Sequence, residues 1–236
     1  MQLSNGFLEN TMATIRSFIL YSLILFFASC NATRVIKPLE KGEKQLSAGL
    51  GGPGIIYAGA PIPMPLTSVN YAQGVDSNVT LSVGMHTTSL AFGVLQSDVS
   101  LGIRAYQSKS ERFGLTATPG IHVLYDLYEN NFRTYPQLEA TTWWQYSESK
   151  QHLLYGGLGT WIELFKQKAH GQVQTNELMP WITVGHQFNL ERWSYLTEFK
   201  YLGFQHKTAP SVVDFVSPGG NGTIGFYFGV SRTIGK

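Results

Sequence analysis

The chain has 236 residues and a formal net charge of +2, and only 14% of its residues are charged. So small a positive balance gives no footing for a polyanion, which argues against a nucleic-acid partner. A single cysteine rules out an intramolecular disulfide framework, while 13% aromatic residues with 25 glycines favour strands and turns over helices.

Residues 18–30, FILYSLILFFASC, follow Arg16 and place small Ala28 and Ser29 before the lone Cys30. A basic residue, an apolar run and a small-residue cleavage site make a secretory signal. The run falls short of the roughly 20 apolar residues that span a bilayer as a helix. Residues 1–29 are therefore expected to be a signal peptide. Met12 is a better start than Met1, because it leaves Glu9 out of a region that should be positive. The Ala28-Ser29-Cys30 junction resembles the lipobox of bacterial lipoproteins. That resemblance implies diacylation of Cys30, cleavage before it and handling by the lipoprotein-processing machinery. The alternative is an ordinary signal peptide or uncleaved anchor in which Cys30 is incidental.

Residues 30–43 read as a short polar tether, and residues 44–236 as one β domain in which period-two alternation prevails. In 78–86, Val79, Leu81, Val83 and Met85 face one way and Asn78, Thr80, Ser82, Gly84 and His86 the other. Near the end, Ile224, Phe226, Phe228 and Val230 alternate with Thr223, Gly225, Tyr227, Gly229 and Ser231. The same pattern predicts ten strands, near 44–51, 67–75, 78–86, 97–107, 112–125, 132–147, 151–165, 177–189, 192–205 and 221–234. Several exceed the five or six residues usual in soluble proteins and reach the roughly 9 to 11 that cross a bilayer with tilt. Ten is an even number, as bacterial membrane barrels require. Eight is the alternative if the first two segments pair elsewhere.

The joins alternate in length. Tight ones fall at 76–77, 108–111, 148–150 and 190–191; longer ones at 52–66, 87–96, 126–131, 166–176 and 206–220. In an up-and-down barrel this puts the long loops on one rim and both chain ends on the short-turn rim. The outward apolar set includes Leu101, Ile103, Leu115, Ile121, Leu158, Ile182, Val184 and Phe199. Tyr125, Trp144, Tyr146, Phe165, Phe188, Trp193 and Tyr201 fall towards strand ends, where interfacial girdles belong. The expected fold class is all-β, an antiparallel up-and-down transmembrane β-barrel of about ten strands. A soluble β-sandwich is the alternative, with the same alternation packed against a second sheet.

The strand-turn-strand YAQGVDSNVTL from Tyr71 and the ending GFYFGVSRTI from Gly225 resemble the small outer-membrane β-barrels of Gram-negative bacteria, particularly the barrel lipoproteins of Bacteroidota. The resemblance implies an outer-membrane location with lipid anchoring through Cys30. Outer-membrane lipid and the barrel assembly machinery are the partners it implies. It carries no activity to place on residues.

Alternation puts Arg104, Tyr106, His122, Glu139, Trp143, Tyr155, Trp161, Glu163, Glu198 and Lys200 in the lumen. Arg104, His122, Glu139, Glu163, Glu198 and Lys200 form the expected polar cluster, since charges inside a narrow barrel must be paired. Ten strands enclose little more space than the eight that side chains fill. A narrow or plugged lumen is therefore expected over a small-solute channel. No catalytic residue, metal or cofactor is assigned, because no H-x-x-x-H, H-E-x-x-H or G-x-S-x-G arrangement occurs. The enzyme alternative, an omptin-like protease or lipid A hydrolase, lacks a signalled nucleophile. His86, His170 and His206 fall at strand ends or in long loops, where exposure is the default, and His186 falls on the lipid face near a rim.

The first long loop, 51–66, reads GGPGIIYAGAPIPMPL and is apolar without a charge. Ile55, Ile56, Tyr57 and Met64 are its candidate partner-binding residues; an exposed apolar loop marks a partner or membrane contact. The alternative is a cap folded into the barrel mouth. Pro61, Pro63 and Pro65 disfavour a central strand and favour a polyproline-like path. The expected role is structural or ligand-binding, through the long loops.

Cys30→Ser should abolish fatty-acid labelling and halt precursor processing in cells. Unchanged labelling would remove the lipid tether from the reading.

Overall fold

The computed structural model describes residue 32 and residues 35–167, 173, 177–208 and 213–235. The signal region, Cys30 and His170 lie outside the described residues. The elements are β1 (Lys44–Tyr57), β2 (Ala60–Pro63), β3 (Leu66–Asp76), β4 (Val79–His86), α1 (Thr87–Ala91), β5 (Val94–Gln107), β6 (Phe113–Asp126), β7 (Asn131–Gln145), β8 (His152–Ile162), β9 (Leu178–Asn189), β10 (Trp193–Lys207) and β11 (Asn221–Gly235). From β3 to β11 each strand pairs antiparallel with the next, and β1 pairs with both β3 and β11. The ring is closed by ten strands, with β2 outside it and paired to β1. Closure removes the sandwich and the eight-stranded alternatives.

The faces follow the alternation and run opposite to those of a soluble protein. Thr80 and Ser82 are fully buried, whereas Leu81 and Val83, which alternate with them, are 37% and 43% exposed. On β11, Tyr227 is buried inside and Phe228 is exposed outside. Leu46, Leu50, Val99, Leu158, Val184 and Phe199 extend the apolar exterior round the ring. An apolar outside with a polar and aromatic inside is the arrangement of a membrane-spanning barrel. Trp144 and Tyr146, with ring centroids 5.8 Å apart, and Trp193 lie at the short-turn rim.

Connection lengths match their expected alternation. Lys44 and Gly235 pair at the short-turn rim, so both ends of the barrel lie there. Glu111 and Lys150 adopt positive φ in two of the tight turns, and α1 occupies a long connection on the opposite rim.

Three expectations need correction. First, loop 52–66 is largely a hairpin: β1 continues to Tyr57, turns through Ala58 and Gly59, and pairs with β2. Pro61 and Pro63 are accommodated because β2 pairs on one side only and leaves a free side on which a missing N–H loses nothing. The other side of β1 receives residues 213–216, with Ile56 N donating to Asp214 O at 2.7 Å and Val216 N to Gly54 O at 2.8 Å. Second, Tyr106 points outward, 54% exposed, because a bulge between Arg104 and Tyr106 shifts the register against β6.

Third, the segment before β1 is more than a polar tether. Val35 and Ile36 are buried inside the short-turn end of the barrel. Thr116 Oγ1 donates to Ile36 O at 2.7 Å, and Leu39 N donates to Thr80 Oγ1 at 2.8 Å. Lys37 Nζ donates to Gln145 Oε1 at 3.3 Å and lies 5.2 Å from the Trp143 ring centroid. Burial, followed by the Lys150 and Arg104 charges, holds the Lys37 ammonium below the ordinary lysine range.

Gly51 sits on the closing seam at φ +139°, where a Cβ would lie 2.2 Å from Phe226 O. Gly51→Val should therefore reduce the fraction of protein that migrates as an SDS-resistant barrel before heating. Gly235→Val, whose Cβ meets nothing within 4 Å, should leave that fraction unchanged.

Candidate functional site

The lumen is layered along the barrel axis. It holds Trp143, Tyr155, Trp161, Trp181 and Tyr227, all buried, and three of these rings lie over glycines on neighbouring strands. Trp143 covers Gly114, Trp181 covers Gly159 and Tyr155 covers Gly185, each close enough that a Cβ would sit within 2.3 Å of the ring. No methyl group fits there, so glycine on one strand makes the space for the aromatic on the next.

Among these rings lies a buried ion pair. Lys200 Nζ is 3.4 Å from Glu198 Oε1, and Tyr155 OH donates to Glu198 Oε2 at 2.7 Å. The ammonium also lies 5.6 Å from the Trp181 ring and 5.8 Å from the Tyr227 ring, whose faces favour a cation. Two luminal positions on one strand, two residues apart, thus carry opposite charges that satisfy one another.

The rest of the expected polar cluster is dispersed. Glu139 is buried and accepts from Thr141 Oγ1 at 3.1 Å. Arg104 lies toward the short-turn end, where its Nε and Nη2 are buried without a hydrogen bond. Glu163 is not in the wall: it follows β8, and its Oε1 accepts from Phe165 N at 2.9 Å. The strand predicted to reach residue 165 ends at Ile162, so its last luminal position belongs to the external connection.

His122 joins a different group, nearer the long-loop rim. His86 ends β4, and the register of β4, β5 and β6 sets Asp98 opposite Gly84 on one side and His122 on the other. His86, Asp98 and His122 are all buried, and one ligand atom from each lies within 4.8 Å of the others. His86 Nε2 is 3.2 Å from Asp98 Oδ2, and His122 Nε2 is 2.9 Å from Gln137 Oε1. The Trp161 ring lies tilted against His122 with centroids 4.4 Å apart, and Trp161 Nε1 donates to Gln137 Oε1 at 3.0 Å. His86 is therefore not the exposed strand-end residue expected. Strand separations of 12 and 24 residues fit no short ligand motif, so no linear signal could have found this group.

The remaining described histidines sit outside the lumen. His206 is half-buried and its Nε2 lies 2.7 Å from Leu178 O. His186 lies near the short-turn rim, with Tyr146 OH 3.1 Å from its Nε2 and the His152 ring 5.4 Å away.

At the long-loop rim, the β1–β2 hairpin is covered at its base and bare toward its turn. Met64, Leu66 and Phe215 form a buried cluster against Ile55, Phe92 and Val213. Ile56, Tyr57 and Ile62 remain 38%, 67% and 38% exposed. The four candidate binding residues are thus divided, with Ile55 and Met64 packed in the cap and Ile56 and Tyr57, which point to opposite faces of the hairpin, exposed.

No protein-family model and no curated protein matches the sequence. Solved structures of bacterial outer-membrane barrels do. The NanC porin aligns over 81% of this chain and all of its own, at 8% identity and TM-score 0.43. The translocator domain of autotransporter NalP from Neisseria meningitidis aligns over 84% of this chain and 91% of its own, at 11% identity and TM-score 0.43. The outer membrane protease OmpT from Escherichia coli aligns over 81% of this chain and 97% of its own, at 9% identity and TM-score 0.42. At such identities and TM-scores the likeness says nothing about what this chain does.

Lys200→Met would remove the cation beside fully buried Glu198. Breaking a buried pair from one side typically destabilises by about 3–5 kcal/mol. The temperature at which the SDS-resistant form is lost should fall markedly, measured by gel mobility after graded heating.

Proposed function

We propose that the chain is an outer-membrane lipoprotein, anchored through Cys30, whose barrel displays a partner-binding hairpin on the outer rim. The observation that carries this reading is the exposed outer end of the β1–β2 hairpin. Its base is already covered by Phe215 and Leu66, while Ile56, Tyr57 and Ile62 stay bare beyond the point where β1 stops pairing with β11 at Pro53. The hairpin carries no charged residue, and an exposed uncharged apolar surface outside the lipid belt favours an apolar partner.

The lumen acts in this reading as a support and not as a passage. Rings of Trp143, Trp161, Trp181, Tyr155 and Tyr227 fill it, and Val35 and Ile36 occupy its short-turn end. We assign it no catalytic step. Its charged groups Glu198 and Lys200 are engaged with one another and with Tyr155, which supports a packing role.

Cys30 is the chain's native cysteine, so Tyr57→Cys adds a single reporter thiol once Cys30 is acylated. Intact cells treated with a membrane-impermeant maleimide should label this variant and not the parent. Labelling only after lysis would place the hairpin away from the outside and overturn the reading. Purified barrel in planar bilayers should show no sustained openings, whereas large steady conductance would overturn the sealed lumen.

A further inference from the structure

We propose that His86, Asp98 and His122 form a binding site for a divalent transition cation of the Zn2+ type, set in the lumen beneath the long-loop rim. Two imidazoles and one carboxylate are a borderline donor set that favours such metals over Ca2+ or Mg2+, which select oxygen ligands. With metal–ligand bonds of about 2.0–2.2 Å, ligand atoms round a tetrahedral ion lie roughly 3.3–3.6 Å apart. His86 Nε2 and Asp98 Oδ2 stand at 3.2 Å, and the third ligand atom is within 4.8 Å of both. Side-chain movement of about 1 Å would complete a three-ligand site with one position left open.

Outer contacts prepare His122 for this task. An indole N–H can only donate, so the Trp161 Nε1 contact identifies the Gln137 atom as the amide oxygen. His122 Nε2, 2.9 Å from the same oxygen, is then the protonated nitrogen, and Nδ1 holds the lone pair. A metal-binding histidine is commonly fixed through its other ring N–H in this way. A hydrogen bond between His86 and Asp98 would account for two of the three groups. It does not account for a second imidazole braced beside them by Gln137 and Trp161. The site adjoins α1, beneath the buried Ser89 Oγ bond to Gln96 Oε1 at 2.6 Å, on the long-loop side of the lumen. This inference is independent of the hairpin's role.

The test uses the full chain purified in detergent, stripped with EDTA and dialysed against Zn2+. One equivalent should bind, and X-ray absorption at the zinc edge should resolve two imidazole ligands. His86→Ala, His122→Ala and Asp98→Asn should each raise the Kd at least about tenfold, while His186→Ala, at the opposite rim, should not. Failure of the parent protein to retain zinc would overturn the site. So would an absorption spectrum with fewer than two imidazoles, which decides the matter even if the variants fail to fold. Folded variants that bind as tightly as the parent would also overturn it.

Discussion

Lipid offers a backbone no hydrogen-bond partner, and the β1–β11 seam is where this chain meets that constraint. An unpaired peptide group in hydrocarbon costs several kcal/mol, so an open ten-stranded sheet would carry two prohibitive edges. The seam runs from Lys44 opposite Gly235 to Pro53 opposite Gly225. Gly51 permits it by letting the two backbones approach where a side chain would strike Phe226 O. Once the ring is closed, each side chain in a spanning strand faces either lipid or lumen. The apolar exterior, the polar interior and the separation of long loops from short turns all descend from that choice.

Inside the ring the governing term is volume. Ten strands leave space that small polar side chains alone would not fill, and the chain fills it with rings set over glycines. That packing also makes the low-polarity surroundings in which Glu198 and Lys200 must be paired. Beneath the aromatic layer lie Val35 and Ile36; above it lie His86, Asp98 and His122. The two ends of the lumen are thereby chemically distinct, buried apolar chain with the cations Lys37 and Arg104 on the short-turn side and two imidazoles with a carboxylate on the long-loop side. Trp161 links the middle layer to the upper one through its bond to Gln137.

Much of this architecture was legible in the amino-acid order. Alternation located all ten strands, separated Thr80 and Ser82 from Leu81 and Val83, and placed Trp143, Tyr155, Glu198 and Lys200 inside. It failed where a local event broke the period. The bulge after Arg104 turned Tyr106 outward, and the early end of β8 moved Glu163 into a loop. Prolines concealed β2 because their prohibition applies to strands paired on both sides, and β2 is paired on one.

What the sequence by itself determined is therefore whatever has a linear period: the number of strands, their two faces and the rim on which each loop lies. Those follow from a two-residue repeat and from turn length, both local quantities. Tertiary structure alone decided what meets across the lumen. His86 and His122 come together through the register of three strands, and Val35 finds Gly102 by threading back into a barrel that later strands complete. Register is set by hydrogen bonds between strands and closure by the whole ring, so neither leaves a mark in the spacing of any single segment.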